Sequence, residues 1–142
     1  MVSRVQYIER TDSEGGIAVE VGQSAANALY QQATGGTFRM ETDAARRCAE
    51  VYTRFVETTL EPQIKRSTNL HSLEGFGGFE SAKQLQDGFS GKAVKMTEAL
   101  NGMKEAALKM AAAYLRAGQL VDEADAMNAR SISTATSEVQ SS

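Results

Sequence analysis

The chain has 142 residues, enough for one domain with a modest core and too few for two. It carries 15 basic against 18 acidic side chains, for a net charge of -3. The basic pairs Arg46-Arg47 and Lys65-Arg66 stand apart with no basic stripe around them, which argues against a nucleic-acid partner. One cysteine and one histidine exclude an intrachain disulfide and a zinc site of Cys and His ligands alone. No metal or cofactor is therefore expected, and packing has to hold the fold.

The first residues, Met-Val-Ser-Arg-Val-Gln-Tyr, lack the apolar core of a cleavable secretion signal. The longest unbroken apolar stretch, Met110 to Leu115, falls far short of the roughly 18 residues of a membrane span. No integral membrane segment is expected. Any export would use an uncleaved signal. Residues 1–16 are polar, end in Gly15-Gly16 and read as an arm, and Ile17 to Val21 as a short extended piece. Ser24 to Gln32 is predicted to be a short helix stopped by Gly35-Gly36. Residues 1–37 thus form an N-terminal extension, partly disordered with a short helix, which could equally fold only on contact with something else.

A second helix is predicted to begin at Thr42 or Asp43, either of which can cap it. Ala45, Cys48, Tyr52, Phe55 and Thr59 recur at steps of three and four and give one seam, widened by Val51, Val56 and Leu60. Cys48 reads as a small hydrophobe in that seam, with a disulfide to a second chain as the alternative. Pro62 lacks an amide hydrogen and clashes with the preceding turn, so the helix should end or kink there. Ile64, Leu70 and Leu73 are expected to continue the buried face. His71 beside Glu74 reads as a solvated or helix-capping histidine, because nothing nearby orients the pair for proton transfer. Gly75-Phe76-Gly77-Gly78-Phe79 is a predicted turn. The loop leads towards Lys83 but lacks the spacing of a phosphate-binding loop.

The third unit carries the strongest pattern. Phe89, Ala93, Met96, Leu100, Met103, Ala107, Met110, Tyr114, Ala117, Val121 and Ala124 alternate steps of four and three without a polar interruption beyond the Tyr hydroxyl. A given register does this by chance about once in ten thousand. One helix from Glu80 to Arg130 would be roughly 75 Å long. Gly88, Gly91, Gly102 and Gly118 argue against a rigid rod, with a break expected near Gly118. Leu85 stands one residue out of phase. The opposite face, with Lys92, Lys95, Glu98, Lys104, Glu105 and Lys109, reads as solvated, with Glu105 and Lys109 in the favourable i,i+4 order. Asp122, Glu123 and Asp125 lack the EF-hand pattern and read as a solvated helix end. Met96, Met103 and Met110 serve either as core or as an adaptable partner groove. The Ser/Thr-rich residues 131–142 are expected to be a disordered tail. The fold class is all-α: an antiparallel helical hairpin over 38–130 with a long C-terminal helix, plus the short N-terminal extension.

Helix, Phe76-Gly77-Gly78, long helix resembles the Esx-like Trp-x-Gly proteins of type VII secretion and related actinobacterial secretion-associated hairpins. In that resemblance Phe76 takes the Trp position and Gly78 the Gly position, over about two-thirds of the chain. The family's export signal, Tyr followed three residues on by an acid after the second helix, is unmatched, since Tyr114 leads to Gly118. Residues 1–37 have no counterpart in the minimal hairpin. The resemblance implies that a partner carries the signal, or that this chain is not itself exported. It implies a non-catalytic protein, cytoplasmic before any export, that pairs with another helical chain as a homo- or heterodimer and meets secretion machinery. The pairing seam would run through Phe89, Met96, Leu100, Met103, Met110, Tyr114 and Val121, against Cys48, Tyr52 and Phe55 on the first helix. The competing expectation is a cytoplasmic chaperone, adaptor or self-assembling helical protein with no export role. No catalytic residue is assigned.

Overall fold

The computed structural model describes residues 20–71, 77–78 and 80–141, and every regular element among them is helical. Helix α1 covers Gln23–Gly35, α2 Thr42–Phe55, α3 Glu61–Asn69, α4 Glu80–Ala117 and α5 Val121–Ser141. One π-helical turn, Val56–Leu60, joins α2 to α3. The all-α class read from composition and periodicity holds.

Helix α4 is the hub on which the other helices pack. Its C-terminal half explains why. Ala106, Ala107, Leu108, Ala111, Ala112, Ala113, Leu115 and Ala117 are all buried. At 100° per residue these positions surround the helix, so cover is needed on several sides. Alanine side chains let neighbouring axes come close. The π turn and α3 continue α2 antiparallel along α4: Val56 and Leu60 cluster with Ala107 and Leu108, and Ser67 reaches Thr97. Helix α5 folds back antiparallel on another side, with Ala124 in the cluster of Ala49, Ala111 and Leu115. Helix α1 runs parallel to α4. A Cβ on Gly22, before its start, would lie 3.6 Å from the Ala106 Cβ, and at its end Ala33 shares a depression with Ala117.

Local chemistry sets each boundary. Gly36, at φ 87°, ends α1 in the left-handed conformation, with the Thr37 N–H on the Gln32 carbonyl. That is the stop expected of Gly35-Gly36. The N-cap of α2 is neither Thr42 nor Asp43. Glu41 takes the role, its carboxylate accepting from the Ala44 N–H at 3.2 Å. Thr42 instead donates its hydroxyl to the Gly118 carbonyl at 3.2 Å. Pro62 does not end the helical run. The turn ahead of it widens to the π form, with the Glu61 N–H on the Val56 carbonyl, and helix resumes to Asn69. A wider turn relieves the clash between a proline ring and the carbonyl four residues back.

The break expected near Gly118 is present: the run from Phe89 to Ala124 is two helices, because α4 ends at Ala117 and the chain reverses over Gly118, Gln119 and Leu120. The Leu120 N–H bonds the Leu115 carbonyl and the Gln119 N–H the Arg116 carbonyl, a Schellman closure with Gln119 at φ 65°. Gly118 is required for a different reason: a Cβ there would lie 2.4 Å from the Ala45 Cβ. Helix α4 continues without interruption through Gly88, Gly91 and Gly102. The tail read as disordered from 131 is helix as far as Ser141. It is anchored by Ser131, 1% exposed, whose hydroxyl donates to the Glu105 carbonyl at 2.8 Å.

Candidate functional site

The seam of the sequence reading divides in two. Its inward part joins α4 to the α2–α3 arm. Ala93 and Ala107 are buried, Leu100 packs against the Val56–Leu60 cluster, and Tyr114 stacks on Tyr52 at 5.8 Å between ring centres. Phe38 meets Tyr114 edge-on at 5.7 Å. Burial, then the neighbouring Tyr52 and Cys48, pushes the Tyr114 phenol up. Cys48 is a half-buried free thiol beside this aromatic group.

The outward part is exposed. Phe89, Met96 and Met103, which repeat every seven residues with Met110, are 49%, 53% and 37% exposed. A seven-residue repeat keeps side chains on nearly one line of a helix, drifting about 20° per repeat. Met103 and Met110 line an apolar groove of about 310 Å³ between α1 and α2, with Tyr52 and Phe55 on one wall and Val21 and Ala25 on the other. Leu85, which falls out of phase in the sequence, is exposed on the same half of α4. On α2, Phe55 is exposed at the groove. Val51, expected to widen the core seam, is instead 63% exposed. Leu70 is exposed as well, whereas Ile64 is half-buried. Val121 sits exposed at the start of α5, away from the line it was read to continue.

Of the turn motif, Gly77 has φ 92° and Gly78 is exposed. Phe76 lies outside the described residues, as do Leu73, Glu74, Gly75 and Phe79. The described ends Asn69 and Glu80 belong to antiparallel helices, so the chain reverses between them.

A second constellation lies where sequence reading placed a solvated face. Glu105 and Lys109 are half-buried beside α1 and α5. The Glu105 carboxylate accepts from Gln23 and faces Glu20. Burial, the larger influence, holds its pKa above the usual carboxylate value. Lys109 stands 4.9 Å over the Tyr30 ring and donates to Asn128. Burial holds its ammonium below the ordinary lysine value, partly opposed by Glu105. Tyr30, Gln23, Asn128 and Ser131 were not singled out from sequence. The available signal was a Glu and a Lys four residues apart set beside the apolar run Ala106-Ala107-Leu108, which leaves them little solvent to face. This cluster pins α1 and α5 to α4. Lys104 pairs with Glu61 at 3.2 Å and Arg46 with Glu123 at 2.8 Å, both near solvent and worth little.

His71 Nε2 lies 2.9 Å from the Thr97 hydroxyl, which is 2.6 Å from the Ser67 hydroxyl and donates to the Ala93 carbonyl. The Ser67 hydroxyl also reaches the Ile64 carbonyl at 3.0 Å, so two hydroxyl protons are shared among three contacts and either hydroxyl can donate to the other. The histidine ties the end of α3 to α4, in keeping with a helix-end role. The polar depression at the other end of the molecule, of about 240 Å³, includes Arg39 and Arg116. The C-terminal ends of α1 and α4 meet there, and Arg39 donates to the Gly36 carbonyl at 3.3 Å. Among the described residues no cluster of His, Cys, Asp and Glu could hold a metal ion. No helix among them is long and apolar enough to cross a membrane. No protein-family model, curated protein or solved structure matches this chain.

Proposed function

We propose that this is a non-catalytic, type VII secretion-associated helical protein that works by pairing with another helical chain. The observation that carries the pairing is the exposed line of Phe89, Met96 and Met103 leading into the Tyr52–Phe55–Met110 groove. Exposed apolar residues aligned on one helix offer i, i+7 anchors to a partner helix, and methionine adapts to what packs on it. The link to secretion draws on the antiparallel hairpin of α2–α3 with α4 and on the Phe76-Gly77-Gly78 turn sequence between its arms. On this reading the chain is held in the cytoplasm with its partner, and leaves, if at all, without a cleaved signal.

The alternative, a cytoplasmic chaperone or adaptor with no export role, draws on α1 and α5. They cover two sides of α4 that a minimal hairpin leaves open. Comparison of culture filtrate with lysate in the native host separates the two. Detection in the filtrate supports the secretion reading, and detection in lysate alone supports the adaptor. Pairing itself is tested by Met96→Glu, which should abolish co-purification with the partner while leaving the melting temperature unchanged. Retained co-purification would remove this face from the account.

A further inference from the structure

Two rows of residues border the exposed face below the groove. On α4, Leu85, Phe89, Lys92, Met96 and Met103 are exposed. On the antiparallel arm, Phe55, Thr59, Gln63, Arg66 and Leu70 follow at steps of four, four, three and four residues, and all are exposed. Phe55 immediately precedes buried Val56 and lines the groove. Arg66 immediately precedes buried Ser67, about three turns farther along the arm, so it faces the same way.

Charge on this face has one sign. At 3.6 residues per turn, Lys92 and Lys95 stand about 40° and 100° around α4 from Met96, whereas Glu80, Asp87 and Glu98 stand about 160–180° from it, on the opposite side. Arg66 adds a third cation from the arm, where Thr59 and Gln63 are uncharged. Among the described residues none of these three cations meets a carboxylate. The whole chain has a net charge of -3, so the basic excess is local. We infer that the partner of this face is a helix whose apolar stripe is flanked by glutamate or aspartate. The inference rests on the pairing reading and gives that partner its chemistry. A second copy of this chain fits less well, because a two-fold contact sets the basic face against itself. An anionic lipid surface matches the charges, but the recessed groove of about 310 Å³ between Phe55 and Val21 suits inserted side chains better than a flat boundary.

The test titrates the natural full-length chain with two synthetic helical peptides that share one leucine stripe, flanked in one by Glu and in the other by Lys. At low salt the Glu-flanked peptide should bind about tenfold more tightly, as a few exposed ion pairs of ordinary strength imply. High salt should narrow the gap, Lys92→Glu with Lys95→Glu should close or reverse it, and Met96→Glu should lose both peptides. Equal affinities, a preference for the Lys-flanked peptide, binding of neither, or binding retained by Met96→Glu overturns the inference. So does a dimer of the natural chain in light scattering that Met96→Glu dissolves, which assigns the face to a second copy. Co-sedimentation with phosphatidylglycerol vesicles that the double lysine variant loses overturns it too, in favour of lipid. None of these measurements includes the native partner, so the inference can fail here while co-purification upholds the pairing reading.

Discussion

Gln119 and Glu105 both hold states their side chains do not favour, for different reasons. Gln119 occupies the left-handed position of the α4–α5 closure, which costs a side-chain-bearing residue about 1–2 kcal/mol. Gln119→Gly should raise stability by roughly 0.5–1 kcal/mol in urea unfolding, part of the relief being offset by the greater freedom of glycine when unfolded. An unchanged or lower midpoint would contradict the assignment. Glu105 and Lys109 are charged groups drawn out of water. The Glu105 pKa is raised on folding, so the folded state binds its proton more tightly than the unfolded state does. Its contribution to stability is then present below the unfolded value and is lost as pH rises through the folded value. Lys109, with its pKa lowered, has the opposite sign: its contribution is lost as pH falls from the ordinary lysine range. Glu105→Gln should therefore flatten the loss of stability as pH rises from the ordinary carboxylate range. Urea midpoints across that range check it, and identical slopes in both proteins would show that burial does not set this group.

At the scale of elements, the α4–α5 corner decides the fold, and Gly118 decides the corner. A methyl at Gly118 meets Ala45, on a helix backbone that cannot swing aside as a long side chain could. Gly118→Ala should cost about 1–3 kcal/mol by overpacking, read as a lower melting temperature. Parity with the natural chain would mean that the two helices part easily. Ser131→Ala removes the tie between α5 and the Glu105 carbonyl and should cost about 1 kcal/mol. The same elements show how far the sequence could be read. Helix pattern, the stop at Gly35-Gly36, and the arms of the hairpin were legible because periodicity and glycine act locally. The corner was legible only as a weak point, since a run of alternating threes and fours continues in phase across Gly118 to Ala124 by coincidence. The π turn before Pro62 was not legible, because the relief it provides depends on Val56 and Leu60 being buried against α4. Nor was the helix from Ser131 to Ser141, because a Ser/Thr-rich stretch is held by docking on α4 rather than by its own propensity.

At the scale of the molecule, the decisive fact is that α4 is apolar all round in one half and one-sided in the other. Its C-terminal half is enclosed by α1, α2 and α5, with the π turn and α3 continuing the α2 arm. Its N-terminal half meets α3 and leaves Leu85, Phe89 and Met96 at the surface. The candidate site was half legible. The methionine line stood out as a heptad repeat, but its division into core and exposed parts depends on where α1 begins, which no residue of α4 reveals. The polar cluster beneath α1 and α5 was hidden for the same reason, since a sequence places Glu105 and Lys109 on one face without saying what covers it.

The claim that this face pairs with another helix is tested most directly by light scattering of the chain co-expressed with each protein encoded by its neighbouring genes. The account expects a complex of defined stoichiometry for the natural chain, and a folded monomer for Met96→Glu. A folded monomer for both, with no neighbouring chain retained, would contradict it.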